Sequence, residues 1–65
     1  MFTVGVDIAK GSHEACVLAQ DGTVVQKAFN FKNDSEGFVK LLSVLESVSK
    51  NKSDFVLGME ATGHS

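Results

Sequence analysis

Glu60 ends an apolar run, in the stretch GMEATGH, and a small Ala-Thr-Gly turn follows it. A carboxylate in that position raises one question: whether a second one is placed to meet it. Asp7 is the candidate, because it stands near the end of the apolar run that opens the chain. Two such groups at one end of a sheet repel each other unless a cation neutralises them. Magnesium is held by one or two carboxylates together with waters and substrate phosphates. A pair of such ions can clamp the attacking and leaving oxygens of a phosphoryl displacement. The chemistry in view is therefore phosphoryl transfer, with Mg2+ or Mn2+ at Asp7 and Glu60. The plainer reading is that Asp7 caps a turn and Glu60 is a solvated strand end.

The elements that must position this pair can be read from periodicity. Phe2, Val4, Val6 and Ile8 alternate with Thr3, Gly5 and Asp7, which predicts a strand over Phe2–Ile8. Lys10-Gly11-Ser12 breaks it, and His13–Gln20 reads as a second strand with Cys16 and Leu18 on one face and Ala15, Val17 and Ala19 on the other. Asp21-Gly22 tolerates the positive φ angles of a tight hairpin, so the third strand, Thr23–Phe31, should run antiparallel to the second. Asn33 followed by Glu36 resembles a capping box. Phe38, Leu41, Leu42, Leu45 and Val48 then form one helical stripe, with Lys40, Glu46 and Lys50 off it. Gly37 is unfavourable so early in a helix, by up to about 1 kcal/mol against alanine, and suits a close approach of helix to sheet. Asn51–Ser53 ends the helix. Asp54–Glu60 is nearly all apolar, as expected for a fourth strand covered on both faces.

Counting reversals of direction connects the elements to the chemistry. The second strand runs opposite to the first, the third runs with it, and the helix returns the chain so that the fourth also runs with it. A parallel fourth strand can pair with the first through a right-handed crossover. Asp7 is the sixth residue from Phe2 and Glu60 the sixth from Phe55. On neighbouring strands about 4.8 Å apart, both carboxylates would lie at the carboxyl end of the sheet, within reach of one cation.

Composition narrows the classes. With 65 residues the chain holds one small domain at most, and chains of this size bury only about 60% of their unfolded surface. Its single cysteine, Cys16, excludes an internal disulfide, and no Cys/His spacing suits structural zinc. No stretch approaches the ~20 apolar residues of a membrane span. Met-Phe-Thr-Val lacks the basic start of a signal peptide, so a cytoplasmic protein is expected. The net charge is −2, with six lysines scattered singly and no arginine. That balance argues against independent DNA binding through a basic stripe, but not against an acidic metal site. The chain stops where a further element would begin, so it reads as the first part of a longer domain.

Three blocks, VGVDIAKGSHEACVLAQDG, NDSEGFVKLL and GMEATGH, keep an order and spacing that resembles the N-terminal catalytic domain of the DEDD-type insertion-sequence transposases. These are the IS-one-ten class, which also contains the Piv-type DNA invertases. The resemblance covers essentially the whole chain. It implies a truncated RNase H-like (RuvC-like) fold, α/β, with three antiparallel strands, one helix and a fourth strand parallel to the first. It also implies DNA as the partner, with a structured RNA guide in some members. The family's first acidic residue, on the first strand, carries over to Asp7, and its second, at the end of the fourth, to Glu60. Two more aspartates complete the family's tetrad and would lie beyond residue 65, as would a C-terminal domain with a serine implicated in strand exchange. At Ser65 the sequence departs from the family, which usually has an aromatic there, commonly tyrosine.

The remaining polar residues have bland readings beside their functional ones. His13 starts a strand, where a histidine is more often structural than part of a site. His64 could approach a metal or phosphate from near Glu60, Thr62 could cap a following helix, and Lys10 could meet a phosphate beside Asp7. Cys16 reads as a small buried hydrophobe rather than a reactive thiol. A fragment carrying half the tetrad should be inactive alone, and an uncovered fourth strand should favour self-association. The competing functional class is the first lobe of an actin-like ATPase or sugar kinase, which shares this strand order. Asp7-Ile8-Ala9-Lys10-Gly11-Ser12 lacks the glycine two residues after the aspartate that such a phosphate-binding turn needs. A stand-alone interaction module is the third reading and would need no metal.

Overall fold

The alternation that opens the chain produces β1 (Phe2–Ile8), with Val4 and Val6 buried on one face and Thr3, Gly5 and Asp7 on the other. The computed structural model describes the backbone of residues 1–61 and the side chains of residues 1–58. Expectations for Thr62, His64 and Ser65 lie outside the described residues. β2 (Ser12–Leu18) and β3 (Val24–Lys32) follow, then α1 (Ser35–Val48), a 3-10 turn (Lys52–Asp54) and β4 (Phe55–Ala61). The strands form one sheet in the order β3-β2-β1-β4, antiparallel except for the parallel β1–β4 pair. This α/β arrangement fits the opening portion of an RNase H-like fold. No helix of the described residues is long and apolar enough to cross a membrane.

The β2–β3 hairpin turns at Asp21-Gly22, by a route slightly different from a two-residue turn. The Gly22 amide donates to the Ala19 carbonyl at 2.9 Å, and the Ala19 amide donates to the Thr23 carbonyl at 2.8 Å. Among the described residues only Gly22 takes a positive φ, at 92°. Asp21 instead accepts the Thr23 amide at 3.0 Å through its side chain, so the loop is a three-residue turn closed by a glycine bulge. Further along, the β2–β3 register shifts between Ala15 and Leu18.

At the start of α1 the cap is one residue later than the Asn33 reading. Asp34 Oδ1 accepts the Gly37 amide at 2.8 Å, and its negative charge also suits the positive end of the helix. Glu36 lies in the first turn, where the same field favours it. Gly37 allows the predicted close approach: a Cβ built on it would lie 1.8 Å from the Lys32 carbonyl oxygen. The helix is thereby seated on the end of β3.

The core consists of Val4, Val6, Ala15, Val17 and Phe31, all on the helix-facing side of the sheet. Full burial of valines such as Val4 and Val17 contributes about 1.5–3 kcal/mol each. Leu41, Leu45 and Val48 pack onto this cluster as the stripe predicts. Phe38 and Leu42 do not complete it, being 52% and 51% exposed. The cause is the placement of α1 over β3 rather than over the centre of the sheet. The same placement corrects the expectation for β4, which lies at the sheet edge with Val56 and Leu57 about half exposed. Asn51 caps the 3-10 turn by accepting the Ser53 amide at 3.1 Å, and that turn leads directly into β4.

Candidate functional site

The parallel β1–β4 ladder pairs the two sequence-predicted acidic residues through their backbones. Phe2 pairs with Phe55, and the register continues unbroken to Asp7 with Glu60 and Ile8 with Ala61. Residues paired directly across neighbouring strands project from the same face, with strands about 4.8 Å apart. Asp7 and Glu60 therefore share the face away from α1, at the carboxyl ends of both strands. The side chain of Glu60 lies outside the described residues, and its placement here is that of the backbone.

Small residues surround this position. On the same face, the next pairs inward are Gly5 with Gly58 and Gly5 with Cys16. A shallow concavity of about 380 Å³ results, lined by Gly5, Asp7, Glu14, Cys16, Ala28 and Gly58 among others. Glycines there remove the side chains that would otherwise stand beside the carboxylates. A bulky backbone, protein or nucleic acid, can then approach the sheet closely.

Asp7 has one feature that a solvated turn cap would lack. Among the described residues its Oδ1 is buried without a hydrogen-bond partner. Leaving a buried acceptor unsatisfied costs about 1–3 kcal/mol, and more for a charged one. A divalent cation is a suitable partner, since hard cations take carboxylate oxygens. A carboxylate oxygen of this kind is a donor that suits magnesium or manganese. No three His, Cys, Asp or Glu side chains among the described residues gather closely enough to hold an ion.

The other candidates separate clearly. His13 is a brace of the β1–β2 turn. Its Nδ1 accepts the Ala9 amide at 3.2 Å, and its ring lies 5.3 Å from that of Phe31. Those contacts point it toward the core side, away from the concavity. Lys10 is exposed in the turn that follows β1. Cys16 is partly rather than fully buried, because it lies on the open face, where its Sγ is 3.7 Å from a Cβ built on Gly5. Glu14 is the residue that the sequence reading passed over. It is exposed on β2 and pairs directly with Asp7. The signal was available, because antiparallel partners in a hairpin have position numbers of constant sum. The length of the β1–β2 turn was needed to use it.

The model of a transposase family, the DEDD transposases of the IS110 type, matches residues 4–65. No curated protein matches the chain, and no solved structure does.

Proposed function

The chain belongs to the IS110-type DEDD transposase family, and on that basis we propose that Asp7 and Glu60 hold a divalent cation for chemistry on DNA phosphodiesters. The ion is magnesium or manganese. The observation that supports this most is the register, which pairs the two acidic residues on adjacent parallel strands. Two carboxylates one strand apart are mutually unfavourable without a cation, and Asp7 Oδ1, which has no hydrogen-bond partner among the described residues, is ready for one. When bound, the ion polarises a phosphoryl oxygen and makes an attacking water or hydroxyl more acidic.

The protein's own residues prepare that chemistry. Asp7 and Glu60 set the position of the cation at the carboxyl end of β1 and β4. Gly5 and Gly58 keep the adjoining floor bare, so that a nucleic-acid backbone can come alongside. His13 holds the turn after β1, limiting the motion of the strand end that carries Asp7. Two further aspartates from sequence after residue 65 complete the four-carboxylate set. Residues 1–65 are then the N-terminal part of one RNase H-like catalytic domain, inactive alone.

DNA is the substrate and partner. The protein works in the cytoplasm. In isolation, copies of this segment associate through the edge of β4, whose backbone groups are unpaired on one side and whose Val56 and Leu57 are exposed.

The test is DNA strand cleavage and strand transfer by the full-length protein with manganese. Asp7→Asn and Glu60→Gln should each slow the reaction at least ~100-fold, the upper range for disturbing a metal site's supporting residues. Wild-type rates in either variant would overturn the assignment. Turnover by residues 1–65 alone would overturn the four-carboxylate reading.

A further inference from the structure

The register extends the acidic pair into a row. Asn30 on β3 pairs with Glu14 on β2, Glu14 pairs with Asp7 on β1, and Asp7 pairs with Glu60 on β4. Direct partners share a face, so oxygen-bearing residues cross the sheet from edge to edge on the side away from α1. The next row inward is small, Cys16, Gly5 and Gly58, and the next row outward on β2 and β3 pairs Ser12 with Lys32. Like charges directly opposite each other on a sheet are destabilising, which makes Glu14 beside Asp7 a cost to folding if it has no further role. The concavity touches both Glu14 and Asp7, and the buried Oδ1 that has no partner among the described residues belongs to Asp7, between the two glutamates in the pairing.

We propose that Glu14 is a third carboxylate of the cation site, accepting hydrogen bonds from the ion's waters on the β2 side. This rests on the metal reading of Asp7 and Glu60 given above. Magnesium and its substitutes keep several waters when bound by few carboxylates, and those waters need acceptors. Residues that accept from a metal's bound ligands commonly alter affinity by 10–100-fold. Glu14 is exposed on a regular strand, so it can be changed without opening the core. It acts as a positioning residue, through the waters rather than on the DNA.

The experiment is manganese binding by the full-length protein, read from loss of the free Mn2+ electron paramagnetic resonance signal. Glu14→Gln should weaken binding about tenfold, which is ~1.4 kcal/mol, and Glu14→Asp should weaken it less. Asp7→Asn should abolish binding at this site. Thermal unfolding supplies a second readout that a purely structural residue would not move in this pattern. Glu14→Gln should raise the metal-free midpoint by removing like-charge repulsion, and should shrink the rise that manganese produces. Binding lost in Asp7→Asn but unchanged in Glu14→Gln would overturn the role of Glu14 and leave the metal reading standing. Binding unchanged in Asp7→Asn would overturn the metal reading, and this inference with it.

Discussion

Replacing Gly37 by alanine should destabilise the fold, although the same change in most helices does the opposite. Glycine inside a helix is roughly 0.5–1 kcal/mol worse than alanine. Gly37 is buried in the first turn of α1. A Cβ there would stand 1.8 Å from the oxygen of Lys32, 2.6 Å from its carbonyl carbon and 2.7 Å from its nitrogen. All three atoms are backbone, so no rotamer change relieves the clash. The helix start must retreat from β3 by more than an ångström, which strains the Asp34 cap and loosens Leu41 and Leu45 from the core. Overpacking of this kind costs about 1–3 kcal/mol, occasionally more, and outweighs the propensity gain. For a domain of this size each kcal/mol lowers the melting midpoint by roughly 4–8 °C. Thermal unfolding followed by circular dichroism reads the effect, with Gly11→Ala as the control, since nothing lies within 4 Å of a Cβ there. An unchanged or higher midpoint for Gly37→Ala would refute the close helix–strand approach.

Other consequences can be checked separately. Asp34→Ala should cost about 0.5–2 kcal/mol through loss of the N-cap, measured by urea unfolding, and Asp34→Asn should recover most of it. The Asp21 carboxyl is held below its ordinary value of 3.8 by hydrogen bonds from the Thr23 side chain and then its backbone. Its contribution to the hairpin is therefore present above that ordinary value and lost as pH falls through the lower folded value. A carboxyl-carbon NMR titration should show its midpoint below that of a reference aspartate. Sedimentation of residues 1–65 should depend on concentration, and Leu57→Lys should suppress the association; a monomer at all concentrations would remove β4 as a pairing edge.

How far the site was legible in the sequence follows from the physics of each element. Phe-Thr-Val-Gly-Val-Asp and Phe-Val-Leu-Gly-Met-Glu place their acidic residues at the same count. Strand period alone therefore sufficed to align Asp7 with Glu60 once the two strands were known to be parallel. Gly37 was similarly readable, because a glycine where a helix gains nothing from it implies a steric reason. The helix cap was less so: Asn33 and Asp34 are both good caps, and only the seating of Gly37 against Lys32 decides for Asp34. Phe38, Leu42, Val56 and Leu57 were expected under cover because periodicity marks a face without saying how far a neighbour reaches across it. Glu14 went unnoticed because its significance depends on the length of the β1–β2 turn, which sets the pairing and which no single residue announces.

One cation shared by β1 and β4 is the centre of the proposed chemistry. Crystals of the protein soaked in manganese and measured at wavelengths where manganese scatters anomalously would locate it directly. The prediction is an anomalous peak between β1 and β4 at their carboxyl ends, with oxygens of both Asp7 and Glu60 roughly 2.0–2.2 Å away, the range for small divalent ions. Manganese bound elsewhere on the protein, with neither carboxylate in contact, would contradict it.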